Sequence, residues 1–262
     1  MSRSAAATML NKVPEVTIFF WIIKVMATTV GETAADFLSV NLNMGLNATS
    51  VVMTALLIAA LTAQFRTRQY VPGVYWLTVV LISIVGTLIT DNMVDNLGIS
   101  LWTTTTVFAV ALAATFALWY TSERTLSIHT IYTTKREAYY WAAILFTFAL
   151  GTAAGDLIAE RMGLGYGNAA LLFAALIAAV AFAHFVLKAN AVLTFWIAYV
   201  LTRPLGASTG DLLAQPQKNG GLGLGTVTTS ALFLLTILAV VVYFTNDQRR
   251  QAQAMMPAPA RR

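Results

Sequence analysis

Seven of the chain's eleven acidic residues fall on one repeating pattern. Asp36, Asp91, Asp156 and Asp211 each stand five residues after a glycine (Gly31, Gly86, Gly151, Gly206) and fifteen after a tryptophan (Trp21, Trp76, Trp141, Trp196). Glu32 precedes the first aspartate by four residues; Asp95 and Glu160 follow the second and third by four. Steps of four stay on one slowly drifting helix face. The acids therefore belong to polar stripes: Thr28, Glu32, Asp36, Val40; Ser83, Thr87, Asp91, Asp95; Phe148, Thr152, Asp156, Glu160; and Arg203, Ala207, Asp211, Gln215. Carboxylates grouped with hydroxyls and backbone carbonyls are the ligand set of hard cations. The same residue types relay protons inside membranes. Lys24, one further step of four along the first stripe, and Arg203 lie within apolar segments and are expected to tune the charge of such a site.

Composition says what these stripes are threaded through. The chain is 58% hydrophobic and 10% charged, with mean hydropathy +0.72; a soluble domain carries about 25% charged residues. A membrane-spanning helix needs about 20 mainly apolar residues, and eight segments qualify: 14–38, 48–65, 71–94, 100–120, 137–159, 167–187, 190–214 and 226–245. The odd-numbered segments carry the Trp–Gly–Asp spacing; the even ones are plainer and rich in Ala and Thr. The expected fold is an all-α polytopic membrane protein of eight transmembrane helices arranged as four two-helix repeats. They cover 14–66, 70–120, 137–187 and 190–245, with a linker at 121–136, an N-terminal segment at 1–13 and a basic disordered tail at 246–262. Two spans return the chain to its starting side, so the repeats are parallel and related by an axis along the membrane normal. A pseudo-fourfold ring and two halves of two repeats both satisfy this, and the longer linker leans towards halves. Burying an ionised group in hydrocarbon costs ~2.5–3.5 kcal/mol on insertion scales, so the stripes should face one another.

Twelve of the sixteen basic residues fall on the side that holds both termini and the loops after even-numbered helices. The positive-inside rule then makes both termini cytoplasmic. The same asymmetry accounts for the net charge of +5 and pI near 9.6 without a nucleic-acid partner. The first twelve residues hold no apolar run long enough for a signal peptide, and the absence of cysteine excludes thiol chemistry.

Each feature also has a purely structural reading. The aspartates could cap helix ends at the outer interface, and Glu32 with Lys24 could form a structural ion pair. The four tryptophans fit an aromatic belt at the interface or, alternatively, a ring of faces around a cavity that holds an organic cation. Trp102 and Trp119 read as belt residues. The four glycines allow close helix packing or local unwinding that frees carbonyls. Pro14 and Pro72 suit helix starts, whereas Pro204 should kink or break its helix. A glycine between apolar residues recurs downstream of each aspartate, at Gly45, Gly98, Gly163 and Gly223. His184 reads as a packed histidine. Gly-rich 219–225 lacks the Lys-Ser/Thr of a phosphate loop. No nucleophile–base pair stands out, so an enzyme is not expected, nor is a cofactor.

The fourfold Trp–Gly–Asp spacing resembles the DUF347 repeat family. These are bacterial membrane proteins of unknown function, with four tandem repeats of two transmembrane segments and a characteristic tryptophan. The resemblance spans about residues 14 to 245. It implies a multi-pass protein of the bacterial inner membrane and supplies neither substrate nor catalytic residues. Repeat one departs in carrying Glu32 and Val40, repeat four in carrying Arg203 and Pro204, so a strictly fourfold pore is not expected. The leading functional expectation is a transporter or channel-like protein for a cation, either a divalent metal such as manganese or a proton-coupled substrate. The site would be built from Asp36, Asp91, Asp156 and Asp211, extended by Glu32, Asp95 and Glu160; its partners would be the lipid bilayer and a small cation or proton. The alternatives are a non-transporting scaffold or sensor with a structural polar core, and a small organic cation transporter using the tryptophans.

Overall fold

Local signals set the helix boundaries. The Thr17 hydroxyl accepts from Phe20 N at the start of α1 (Ile18–Asp36). Ser100 and Thr133 do the same for α4 (Leu101–Glu123) and α5 (Thr134–Asp156). Asn190 accepts from both Val192 N and Leu193 N to open α7 (Ala191–Ala214). Such caps satisfy amide groups that the first turn leaves without partners. Pro72 occupies the first turn of α3 (Pro72–Asp91), where its missing N–H costs nothing. The remaining helices are α2 (Gly45–Arg66), α6 (Tyr166–Phe185) and α8 (Thr226–Ala254). The computed structural model describes residues 11–254, the last eight by backbone alone. Among them are eight helices long and apolar enough to cross a membrane, and no strand. Residues 1–10 and 255–262, parts of the expected N-terminal segment and tail, lie outside the described residues.

Three repeats end their first helix alike. The aspartate is the last α-helical residue, and one π-helical turn follows: 37–41, 92–96 and 157–161. The chain then turns at a glycine in the left-handed region, with φ of +73° at Gly45, +65° at Gly98 and +71° at Gly163. A Cβ there costs about 1–2 kcal/mol, which explains the recurring glycine. Repeat four has no π turn after Asp211; α7 runs on to Ala214, and Gly223 takes φ +77°.

The four Trp-bearing helices α1, α3, α5 and α7 form a closed ring, each packed on two others in the order α1–α3–α5–α7–α1. The contact is the same at every step. A Cβ on Gly31 would collide with Ser83, one on Gly86 with Phe148, one on Gly151 with Arg203, and one on Gly206 with Thr28. Each ring glycine thus receives the residue three places before the glycine of the next repeat, and the fourth repeat closes onto the first. The even helices pack outside, each on the ring helix of the following repeat: α2 on α3, α4 on α5, α6 on α7, and α8 back on α1. Ring helices bury 61–72% of their apolar windows and outer helices only 11–22%, so the outer four present their sides to lipid. This is a pseudo-fourfold ring rather than two separate halves.

Several expectations change. Helix α7 is continuous through Pro204, which lies against Gly151 and Gly155 of α5, so the proline does not break it. Close packing, not unwinding, explains the ring glycines; the irregular backbone lies one turn later. Helix α1 begins at Ile18, after Pro14 rather than at it. Trp102 is exposed, as a belt residue would be, but Trp119 is wholly buried against Tyr139 and Trp196. Helix α8 continues to Ala254, past residue 246 where a disordered tail was expected.

The linker between repeats two and three is tucked in, with Ile128 and Ile131 buried. Asn11 and Lys12 bond to the backbone of Ile131. Lys12 Nζ also reaches Glu137 Oε2 at 2.6 Å and the Phe65 carbonyl at 3.1 Å, and Gln64 Nε2 donates to Glu137 Oε1 at 3.1 Å. Glu137 is fully buried.

Two stability predictions follow from these contacts. Gly86→Ala, whose methyl would meet Phe148 Cβ at 2.6 Å and Ala149 N at 3.2 Å, should cost about 1–3 kcal/mol. Gly73→Ala, with open space around it, should be neutral or slightly stabilising; melting curves of the two variants in detergent make the comparison. Lys12→Met strands the buried Glu137 carboxylate and should cost about 3–5 kcal/mol, read from the same melting curve.

Candidate functional site

The stripes converge. Glu32, Asp36, Asp91, Asp95, Asp156, Glu160 and Asp211 all line one cavity of about 310 Å³, together with Ser39, Val40 and Gln215. They come from all four ring helices and from the π turns that extend three of them. Depth is graded. Glu32 and Asp211 are buried, Asp36, Asp91 and Asp156 half-buried, and Asp95 and Glu160 exposed at the rim. Tyr166 donates its hydroxyl to Glu160 Oε1 at 2.9 Å, tying the rim to the start of α6. Carboxylate oxygens of Glu32, Asp156 and Asp211 lie within 4.8 Å of one another, a grouping able to hold a metal ion. That trio differs from the expected quartet of aspartates: Glu32 takes part, while Asp36 and Asp91 stand in the wall.

Behind Glu32, outside the cavity lining, lies the Arg203 guanidinium, which is wholly buried. Nη2 donates to Glu32 Oε2 at 2.8 Å, to Thr152 Oγ1 at 2.7 Å and to Thr87 Oγ1; Nη1 donates to the Thr28 carbonyl at 3.1 Å. The partners belong to repeats one, two and three. Glu32, Thr87 and Thr152 each occupy the position immediately after a ring glycine, where repeat four has Ala207. The small Ala207 leaves the centre free, and the arginine from one turn back in the same helix fills it.

Lys24 stands elsewhere. Its ammonium is fully buried, has no hydrogen-bond partner among the described residues, and lies 4.3 Å from the Phe148 ring centre and 4.2 Å from that of Tyr199. It forms no ion pair with Glu32; Arg203 does. Phe148 also lies 5.9 Å from the Arg203 guanidinium carbon, so one ring is shared by both basic side chains.

Fifteen residues, about 22 Å along a helix, separate the aspartates from the tryptophans. That end is closed by aromatic packing. Tyr75 and Tyr140 share a 2.5 Å hydrogen bond. Phe20 packs on Trp21 and Trp76, Tyr75 on Trp141, and Phe195 and Tyr140 on Trp196. Trp76, Trp141 and Trp196 are buried and Trp21 half-buried, so the quartet is not a lipid-facing belt. Trp76 borders a cavity of about 410 Å³ near the N-terminal segment, lined also by Glu15, Phe19, Tyr70 and Phe244. There Trp76 Nε1 donates to the Tyr70 hydroxyl at 3.0 Å. Burial raises that hydroxyl's pKa above the ordinary tyrosine range, so it acts as a neutral acceptor. Trp196 Nε1 donates to the Leu126 carbonyl at 2.9 Å, pinning the linker. His184 Nδ1 lies 3.1 Å from Thr194 Oγ1, as a packed histidine would.

The spacing pattern alone points to the acids but not to what arranges them. The π turns carry no periodic signature of their own, and although an aromatic precedes each tryptophan, the spacing does not show that Tyr75 and Tyr140 bond to each other. The glycine contacts were nevertheless recoverable from the stripes. Thr28, Ser83, Phe148 and Arg203 are the members one turn before each glycine, and they are the residues that fill the gaps.

No curated protein and no solved structure matches the chain. A family model does, four times in tandem, over residues 19–70, 74–125, 139–190 and 194–249. Each match begins two residues before the tryptophan of its repeat. With four matches covering most of its length, and two helices of the ring-and-shell architecture in each, the chain belongs to the family described as Repeat of Unknown Function (DUF347).

Proposed function

We propose that the protein is a transporter or channel-like protein for a cation, in the inner membrane of a bacterium, with both termini in the cytoplasm and the acidic cavity facing away from it. The observation that carries this reading is the gathering of seven carboxylates from four repeats around one space of about 310 Å³. Packing alone does not call for that. Like charges around one space repel, and a carboxylate buried without a partner is costly, whereas a cation in the cavity offsets both. The carboxylate oxygens in the lining suit a hard ion such as a divalent metal, and carboxylates at graded depth also suit a proton-coupled exchange.

A non-transporting scaffold or sensor is the second reading, favoured by one specific feature. Arg203 is bonded to Glu32, Thr87, Thr152 and the Thr28 carbonyl, and such a network could serve only to fix the ring. An organic cation held by the four tryptophans has less support, because Trp76, Trp141 and Trp196 are packed against aromatic neighbours.

Two measurements separate the readings. In vesicles reconstituted with the protein, Asp156→Asn and Asp211→Asn should each lower cation uptake or efflux by at least about tenfold. Flux of every tested cation that stays unaltered in both variants would refute transport through this cavity. In detergent, a cation that binds the folded state should raise the melting temperature by mass action, with the logarithm of its concentration once that exceeds Kd. A scaffold would show no such rise and would lose stability when two of the acids are neutralised.

A further inference from the structure

The cation reading leaves open where the ion sits and what charge it carries. We infer that a single hard divalent cation binds between Glu32, Asp156 and Asp211, and that Arg203 is a tethered positive charge that sets this valence by holding the other oxygen of Glu32. The inference rests on the cation reading above and narrows it to one position and one class of ion.

Three observations carry it. The first is distance: one oxygen from each of the three carboxylates lies within 4.8 Å of the other two. Oxygen ligands at ~2.0–2.6 Å from a magnesium- or calcium-like ion stand up to about 5 Å apart across it. The second is Asp211. Its residue is only 6% exposed, it borders the cavity, and its carboxylate has neither a hydrogen-bond nor an ion-pair partner among the described residues. The third is the division of labour on Glu32. Arg203 Nη2 and Thr87 Oγ1 both donate to Oε2, and Oε1 takes no hydrogen bond among the described residues. A carboxylate oriented through one oxygen by an outer partner, with its other oxygen free, is how proteins hold a metal ligand in place.

The charges then add up. Within the trio and its arginine, three carboxylates and one guanidinium leave two negative charges, matched by one divalent ion and not by one monovalent ion, while Asp36, Asp91, Asp95 and Glu160 line the rest of the same cavity. Arg203 is itself a fixed occupant of the ring axis, bonded to oxygen groups from three repeats. The mobile ion takes the adjoining position, and Glu32 bridges the two. Removing the arginine's charge strengthens the pull on a divalent ion; removing Asp211 discards a ligand.

The test is Mn²⁺ binding to the purified full-length protein in detergent, followed by loss of the free-ion electron paramagnetic resonance signal. The wild type should bind one Mn²⁺ per chain, displaced by Mg²⁺ or Ca²⁺ and not by K⁺ at matched ionic strength. Asp211→Asn should weaken binding at least about tenfold, and Asp95→Asn, at the exposed rim, should weaken it less. Arg203→Met should tighten it about tenfold. If that variant does not fold, Arg203→Lys replaces it; without the guanidinium fork it should tighten binding by a smaller factor. The inference is overturned if Asp211→Asn and Asp95→Asn act alike, if K⁺ competes as well as Mg²⁺, or if the arginine variant binds no more tightly. In each of those cases the broader cation reading survives. If the wild type binds no cation of either valence, both fall together.

Discussion

Everything in this molecule depends on four close approaches between ring helices. At each, a glycine lacking a side chain lets the next repeat press a residue against its backbone: Ser83 on Gly31, Phe148 on Gly86, Arg203 on Gly151, and Thr28 on Gly206. In a bilayer no hydrophobic force drives helices together, because lipid is as apolar as leucine; association rests on close packing and on hydrogen bonds between helices. The glycines supply the first and the residues they receive supply much of the second. Closing the ring creates a protein interior. Only such an interior lets seven acids, a lysine and an arginine sit at membrane depth without facing hydrocarbon.

The same contact that closes the ring also breaks its symmetry. The position one turn before each glycine holds Thr, Ser, Phe and Arg in the four repeats. Three of these end near their own contact. The fourth is long enough to continue to the axis, where the hydroxyls of Thr87 and Thr152 and the carboxylate of Glu32 receive it. Repeat one is the complement of repeat four. It has a glutamate where the others have Thr or Ala, and that glutamate is the anion Arg203 needs. Two departures from the repeat pattern, far apart in sequence, are thus one interaction in space. The fourfold framework fixes where the charges stand, and the departures decide how they are paired.

Much of this was legible in the sequence because membrane helices repeat at fixed spacing. Helix number, repeat boundaries and the convergence of Asp36, Asp91, Asp156 and Asp211 all follow from counting residues on a helix of known pitch. The left-handed glycines such as Gly98 were visible as a recurring letter, although their backbone angle was not. What periodicity could not show is which neighbour each stripe meets. Lys24 and Glu32 share a stripe, yet Glu32 pairs with Arg203 from the opposite end of the chain, while Lys24 lies between the rings of Phe148 and Tyr199. The tryptophans invited an interfacial reading because their depth in the helix fits one. Tertiary packing placed them inside, since Phe20, Tyr75, Tyr140 and Phe195, the residues just before them, build an aromatic layer that needs them as partners.

Under the proposed cation reading, that aromatic layer bears on how an ion would leave the cavity. Two obstacles of different kinds stand between the acids and the opposite face. Arg203 is an electrostatic one: a cation moving past it must approach a fixed positive charge, and Lys24 stands beyond. The aromatic layer is steric, filled by rings in edge-to-face contact and closed by the Tyr75–Tyr140 hydrogen bond. Rotating side chains could relieve the first, because Glu32 and the two threonines can exchange a guanidinium for another cation. The second gives way only if ring helices separate at the tryptophan end, some 22 Å from the acids. The glycine contacts lie between the two ends, five residues from the aspartates and ten from the tryptophans. They therefore stand where a pivot would have to be: tight enough to hold the ring together while one end opens and the other stays shut.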